Sequence, residues 1–425
     1  MQTAMQKWDI LYSDISEQKE QRNGLHLASS ICTEFSRLIF AESKLKIDGD
    51  GKTANFLQDL LERFSPILQT NFGIGLALGG MTIKPYFSDG GICMGMIPAD
   101  RIFPLTFSEY GALRDTVFIE PYVQGDVYYT RLEYHTFQPE QHIAHIDNYT
   151  FRSHNADTLG VSCELAETPW EGLEPFIDVY ADAPLFGYFK VPKANTVDRS
   201  SPMGISVFAA AIPQILQADK LWNSILWEYK SKETAIFATQ DMFNRHNKMS
   251  EDEKRLYKIL MRGEEGKIVP FSPDIRDASL FNGFNHILQR IEFACHFAYG
   301  TLSEPMETEK TATEIKMAKQ RSYVFVSALQ KQVETAIRQA LQAAAVLAVH
   351  HKLIPSSEFT LSCDWGDSVL EDTDARFQRH LQLAQAGYLK PEILISEEYG
   401  CDEEKALEMI PQKQDSGGLF DGGGF

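Results

Sequence analysis

Cysteine is scarce and scattered. Its six residues stand at 32, 93, 163, 295, 363 and 401, with no Cys-x-x-Cys pair among them. That excludes a zinc ribbon and a dithiol redox motif, and it predicts reduced, mostly buried thiols made in a cytoplasm. Basic charge is also short: 40 Lys and Arg stand against 59 Asp and Glu, a formal net charge of −19. A protein that grips nucleic acid over its whole surface needs the opposite sign. No apolar run approaches the ~18–20 residues of a membrane span. The N-terminus MQTAMQKWDILYSDISEQKE lacks a basic n-region and an apolar h-region, so no signal peptide and a soluble chain are expected. Gly-x-Ser-x-Gly, His-Glu-x-x-His and Cys/His catalytic arrangements are missing too. No cofactor, no metal and no enzymatic activity are expected.

What remains is globular. The chain has 425 residues, 44% hydrophobic and 23% charged, enough for two or three ordinary domains with sizeable cores. Several short matches to functional motifs dissolve on inspection. Gly51-Lys52-Thr53 ends like a phosphate-binding loop, but the glycine wanted five residues earlier is Lys46, and no strand–loop–helix context is predicted. Asp48 and Asp50 hint at a calcium loop, yet Thr53 stands where that loop needs glycine. His142 and His145, with His154 nearby, have metal-ligand types. On a strand their spacing of three puts the first two on opposite faces, so separate, satisfied histidines are expected. The doublets Glu264/Glu265, Glu397/Glu398 and Glu403/Glu404 read as solvated faces.

Periodicity predicts an α+β protein. Residues 8–41 and about 55–73 carry helical patterns, separated by turn chemistry at 48–52. From Gly79 to about Phe189, short alternating segments at 81–85, 116–120, 126–137, 142–151 and 185–191 predict paired strands. A helix follows over 205–229, bent at Pro213. A small unit comes next: strands at 234–239 and 267–271 flank a charged helix over 250–262, capped by Ser250 with Glu253 three residues on. A helix over 280–299 and an uninterrupted one over 312–351 complete the main body. A strand at 359–363, helices at 373–386 and near 403–409, and a Gly-rich, mobile tail at 416–425 end the chain. Trp222, Trp227, Tyr229, Phe281, Phe284, Phe293, Phe297 and Tyr299 would suit a base-stacking platform, but at helical spacing they predict helix–helix packing.

The loop between the last two long helices is the most unusual stretch. TLSEPMETEKTATE, residues 301–314, holds Glu304, Glu307, Glu309 and Glu314 with Lys310 as its basic residue. A loop so polar between helices so apolar must project into water. The order helix, excursion, helix, acidic loop, very long helix suggests a subunit that buries its helix sides on identical neighbours.

Seven segments then carry a resemblance. They are Ala77-Leu-Gly-Gly-Met-Thr-Ile-Lys-Pro85, Ala99-Asp-Arg-Ile-Phe-Pro-Leu105, Pro184-Leu-Phe-Gly-Tyr-Phe189, Ser201-Pro-Met-Gly-Ile-Ser206, Lys310-Thr-Ala-Thr-Glu-Ile315, Lys319-Gln-Arg-Ser-Tyr323 and Gly366-Asp-Ser-Val-Leu-Glu-Asp372. Together, in order and spacing, they resemble the portal proteins of tailed bacteriophages, in the family described as phage minor capsid proteins. The resemblance covers about residues 20 to 412.

It implies a homo-oligomeric ring of about twelve subunits at one capsid vertex of the virion, assembled in the host cytoplasm. Double-stranded DNA would pass through it during packaging and ejection. The expected partners are the terminase large subunit, head-completion or adaptor proteins, and the major capsid and scaffolding proteins, with no membrane involved. The family architecture would place the wing at 1–199, stem helices at 200–233 and 278–300, and the clip at 234–277 between them. The tunnel loop would be 301–311, the long helix with its return strand 312–370, the crown 371–412 and the tail 413–425. Glu304, Glu307, Glu309, Lys310 and Lys316 would line the DNA channel. Glu251, Asp252, Glu253, Lys254, Arg255 and Lys258 of the clip would meet partners. Pro213 and the short crown depart from the family pattern. Another ring-forming head or neck protein, or a DNA-acting enzyme such as a nuclease, are the alternatives.

Overall fold

The computed structural model describes residues 1–13, 24–49, 51–231, 235–239, 257–260, 268–271, 277–304, 312–366, 373–399 and 403–410. The protein is α+β and divides into two compact units, Met1–Trp365 and Gly366–Phe425.

The first unit opens with helices α1 (Gln2–Ser13), α2 (Leu27–Phe40) and α3 (Gly51–Leu78), which pack on one another. α2 buries Ala28, Ile31, Cys32, Phe35 and Ile39, the i, i+3, i+4, i+7 stripe of an amphipathic helix. The turn expected at 48–52 is narrower than its sequence suggested. β1 (Lys44–Gly49) runs through Asp48 and pairs antiparallel with β14 (Phe359–Asp364), and α3 starts at Gly51. A strand therefore does precede Gly51-Lys52-Thr53, contrary to expectation. It belongs to a two-stranded ribbon, however, and the Thr53 hydroxyl donates to the Pro355 carbonyl at 3.0 Å rather than facing a ligand.

Two sheets follow. One pairs β2 (Gly80–Ser88) with both β3 (Gly91–Pro98) and β10 (Gly187–Lys190); β2 and β3 are joined by Asp89-Gly90, both at positive φ as a tight hairpin turn requires. The other runs β4 (Ile102–Phe107), β5 (Leu113–Gln124), β6 (Val127–Gln138), β7 (Ile143–Ser153) and β8 (Val161–Cys163), with β9 (Phe176–Tyr180) also on β7. β3, β4, β8 and β9 went unpredicted because each is short or apolar on both sides, so none shows a clean period of two.

A buried charged cluster ties the sheets together. Lys84 of β2 forms an ion pair with Glu133 of β6, and Arg131 Nη2 reaches the same carboxylate at 3.0 Å. His135 Nε2 lies 2.8 Å from its other oxygen, and all four side chains are nearly sealed from water. Desolvation opposes ionisation, but Lys84, the His135 hydrogen bond and Arg131 together hold the Glu133 carboxyl well below its usual range.

The long helix α6 (Ala312–His350) crosses β10 (Gly187–Lys190) and β2. Its alanines 336, 340, 343, 344 and 348 are buried, and a Cβ at Gly187 would overlap the Ala336 carbonyl oxygen. Glycine on the strand and alanine on the helix let the backbones nearly touch.

Helices α4 (Ile212–Ser231) and α5 (Asp277–Cys295) pack side by side, with Trp222 and Phe284 rings 5.7 Å apart. Both are shorter than predicted. Residues 205–208 are buried but not helical; Val207 N–H donates to the Leu76 carbonyl at 3.1 Å, committing that backbone elsewhere. Pro213 thus falls in the first turn of α4, where its missing N–H costs nothing, and it bends no helix. Between α4 and α5 in sequence come β11 (Ala235–Thr239), β12 (Tyr257–Leu260) and β13 (Ile268–Phe271), a three-stranded sheet of order β12-β11-β13. The two flanking strands match expectation. Of the helix expected over 250–262, residues 257–260 are strand instead, pairing in parallel with Ala235–Thr239, and the rest lie outside the described residues.

In the second unit, α8 (Pro391–Tyr399) packs against both α7 (Thr373–Gln385) and α9 (Glu403–Met409), and Ala406 is fully buried. Gly387, at φ 78°, ends α7 as predicted: Tyr388 N–H donates to Leu383 O at 2.9 Å. The tail falls outside the described residues.

Candidate functional site

Three of the seven segments quoted from the sequence, 77–85, 184–189 and 201–206, converge in space. β10 pairs Gly187 with Ile83, joining 184–189 to 77–85. Gly204 lies so close to Gly79 that a Cβ at either would collide with the other's backbone. The Tyr188 hydroxyl reaches Met203 Sδ at 3.2 Å. The first stretch, about a hundred residues before the other two, thus forms one backbone junction with them beneath α6.

Of the channel residues expected from sequence, Glu304 is described. It is exposed, and its N–H donates to Asn285 Oδ1 of α5 at 2.8 Å. Glu307, Glu309 and Lys310 lie outside the described residues. Lys316 falls within α6, with its side chain outside them. Glu251, Asp252, Glu253, Lys254 and Arg255 also lie outside, and Lys258 is placed only as a backbone position on β12, opposite Phe237.

The loop's root, by contrast, is well defined. α5 ends at Cys295 rather than Tyr299 because His296 turns left-handed, φ 67°. Phe297 N–H then donates to Glu292 O at 2.9 Å, closing the helix as a Schellman cap does. Phe297 is buried and stacks on Phe35 of α2 at 4.2 Å, which pins the exit of α5 to the helical core.

Inside the cap, the Glu292 carboxylate is fully buried. Its Oε1 accepts the N–H groups of Gly300 (3.1 Å), Leu302 (2.6 Å) and Ser303 (2.8 Å), and its Oε2 accepts the Ser303 hydroxyl at 2.9 Å. Gly300, at φ 93°, gives the backbone the reversal that lets these donors converge. From the other side, α6 closes on the root. Ser322 Oγ donates to His296 O at 3.1 Å, and the Arg321 guanidinium sits 3.8 Å over the Phe293 ring.

The electrostatics here favour neutral groups. Burial, with Lys193 and Arg321 nearby, pushes His296 down to about 4. Burial lowers Lys193 as well and pushes the Cys295 thiol up to about 12, so that thiol is inert. Beside the root, a cleft of about 910 Å³ opens between α4 and α5, lined in part by Gln214, His286, Arg290, Tyr299 and Glu304.

Sequence reasoning passed over Glu292, although a signal was present. The buried positions of α5 are Leu288, Ile291, Glu292 and Cys295, an i, i+3, i+4, i+7 set with a carboxylate inside the apolar stripe. The aromatic set divides. Trp222, Phe284 and Phe297 pack as expected, while Trp227, Tyr229, Phe281, Phe293 and Tyr299 remain 40–66% exposed.

The histidines hold separate carboxylates: His142 Nδ1 lies 2.7 Å from Asp182, and His145 pairs with Asp178 and, at 3.1 Å, with Asp147. Among the described residues, no group of three or more His, Cys, Asp or Glu could hold a metal ion, and no helix is long and apolar enough to cross a membrane. Neither a scan against protein-family models nor a search of curated proteins finds a match to this chain.

Proposed function

We propose that this chain is a portal subunit: it assembles into a ring through which double-stranded DNA is packaged into, and ejected from, a tailed-phage capsid. The observation that carries this reading is the arrangement around 296–304. Two paired helices, α4 and α5, enclose a small three-stranded sheet between them in sequence, and α5 leads through a clamped root into an acidic loop and then the 39-residue α6. That order matches stem, clip, stem, tunnel loop and long wing helix. The exposed aromatics on α4 and α5 leave apolar surface for neighbouring copies to cover.

A conduit has the opposite requirement to a DNA-binding protein. Each phosphate gripped strengthens binding through counterion release, so a lining that lets the duplex slide does better with like charge. Copies of Glu304, Glu307 and Glu309 around a ring would supply acidic collars, and Lys310 and Lys316 a few points of weak contact. Energy for packaging comes from a separate terminase ATPase docked on the clip, with head-completion proteins taking its place later. The chain acts as a structural and translocation component, not as an enzyme.

Negative-stain microscopy of the purified protein tests the reading. Annular particles with a central hole are expected. Globular monomers would sink it, and Mg²⁺-dependent cleavage of duplex DNA would favour a nuclease instead. Reversing Glu307→Lys and Glu309→Lys together is expected to slow translocation; packaging at the normal rate would remove the acidic lining.

A further inference from the structure

We propose that Glu292 is the positioning residue of the loop: a buried latch that makes residues 300–303 move as one body with helix α5. A glutamate fully withdrawn from water is costly, and an apolar side chain would complete the α5 stripe more cheaply. Among the described residues no Lys or Arg forms an ion pair with it. Its carboxylate is instead satisfied by four donors that all come from Gly300, Leu302 and Ser303.

Those donors converge only in one backbone conformation, the one Gly300 permits at φ 93°. The carboxylate therefore selects that conformation, and hydrogen bonds to an ionised acceptor are about twice as strong as neutral ones. Asn285, two turns back on α5, adds a bond to the N–H of Glu304, the first acidic residue of the loop. Helix α5 thus holds the loop at both of its first turns. A rotation of α5 is delivered to the loop rather than absorbed at its base. This role rests on the portal reading for its purpose, whereas the latch itself rests on geometry alone.

Hydrogen exchange on the full-length protein, paired with DNA packaging by its rings, tests the proposal. Glu292→Gln keeps the shape and removes the charge. Amide exchange at 300–303 is expected to rise roughly tenfold, with ring assembly unchanged and translocation slowed. Ser303→Ala deletes the one side-chain donor and is expected to give a smaller rise in exchange, which keeps the latch testable if Glu292→Gln fails to fold. Unchanged exchange in the variant that folds would overturn the latch. Faster exchange in intact rings that package normally would overturn its role in translocation. Wild-type protein that forms no ring would overturn the portal reading, while the exchange result would still decide whether Glu292 holds the loop.

Discussion

Glu133 and Glu292 are both glutamates sealed from water, and they are satisfied in opposite ways. Glu133, in the β-rich region, sits between the cations of Lys84 and Arg131 with His135 against its second oxygen. Glu292, at the loop's root, has three backbone N–H groups and a hydroxyl. Charge attraction is long-ranged and tolerant of angle, so the first arrangement fixes how closely two sheets approach. Hydrogen bonds to N–H groups are directional, so the second fixes the conformation of a backbone. One glutamate staples elements that must stay put; the other shapes a segment that must be presented in a particular way.

The sharpest way to break this comparison is at the staple. Glu133→Ala leaves Lys84 and Arg131 buried beside each other without the carboxylate between them, which should cost about 3–5 kcal/mol. A fall in the denaturation midpoint of the purified protein is the measurement. A midpoint equal to wild type would mean the sheets are held by apolar packing alone.

How much of this was legible in sequence differs between the two regions for a physical reason. Alternation exposed most strands of the β-rich region, and uninterrupted helical pattern gave α6 nearly to the residue, 312–351 expected against Ala312–His350 found. Where the pattern does not mark the end, a helix end was legible only if the capping residue advertised itself. Gly387 stops α7 and was predicted; His296 makes the same left-handed cap at the end of α5 and was not, because histidine rarely pays the strain of that conformation. The start of α4 was misplaced because the apolar run 205–211 is not α-helical: Val207 N–H donates to Leu76 O and Ala209–Ala211 close a tighter 3-10 turn, neither of which periodicity registers. The root of the loop was the least legible part. Its donors are backbone groups, and only the glutamate in an apolar stripe marked the place.

His296 offers a second, smaller way to separate the regions. Its folded-state value of about 4 lies below the ordinary 6.5, so its neutral form is favoured by the fold. As pH falls through about 6.5 the unfolded chain takes up a proton that the folded root refuses until about 4. The root therefore keeps its full stability above that window and loses some of it within the window. Exchange at 297–304, corrected for intrinsic rates, should rise several-fold between pH 6.5 and 4. His296→Asn, which tolerates the left-handed backbone and cannot titrate there, should flatten the profile. Glu133 has its carboxyl pushed well below 4.5 by its partners, so its contribution stays whole down to about 4.5, across most of the same window. His135, also lowered by burial, gives the β-rich region its own acid-sensitive step, which is why the readout belongs at the root. An identical profile in His296→Asn would assign the acid response elsewhere.

The smallest effect lies on the open face of the sheet, where charge is paired without burial. The hydrogen bond to Asp178 raises His145, with burial opposing it and Asp147 adding to the rise. A raised histidine stabilises the fold below about 6.5, and that contribution disappears as pH climbs through the folded value. Asp178→Asn should shift the His145 imidazole titration, followed by NMR, back toward 6.5, though not fully, since Asp147 remains 3.1 Å from Nε2. Because both partners are open to solvent, the stability change should stay under about 1 kcal/mol. A titration unmoved by the substitution would mean the β7–β9 edge does not hold this pair in solution. A stability loss as large as that of Glu133→Ala would erase the distinction between a buried staple and an exposed pair.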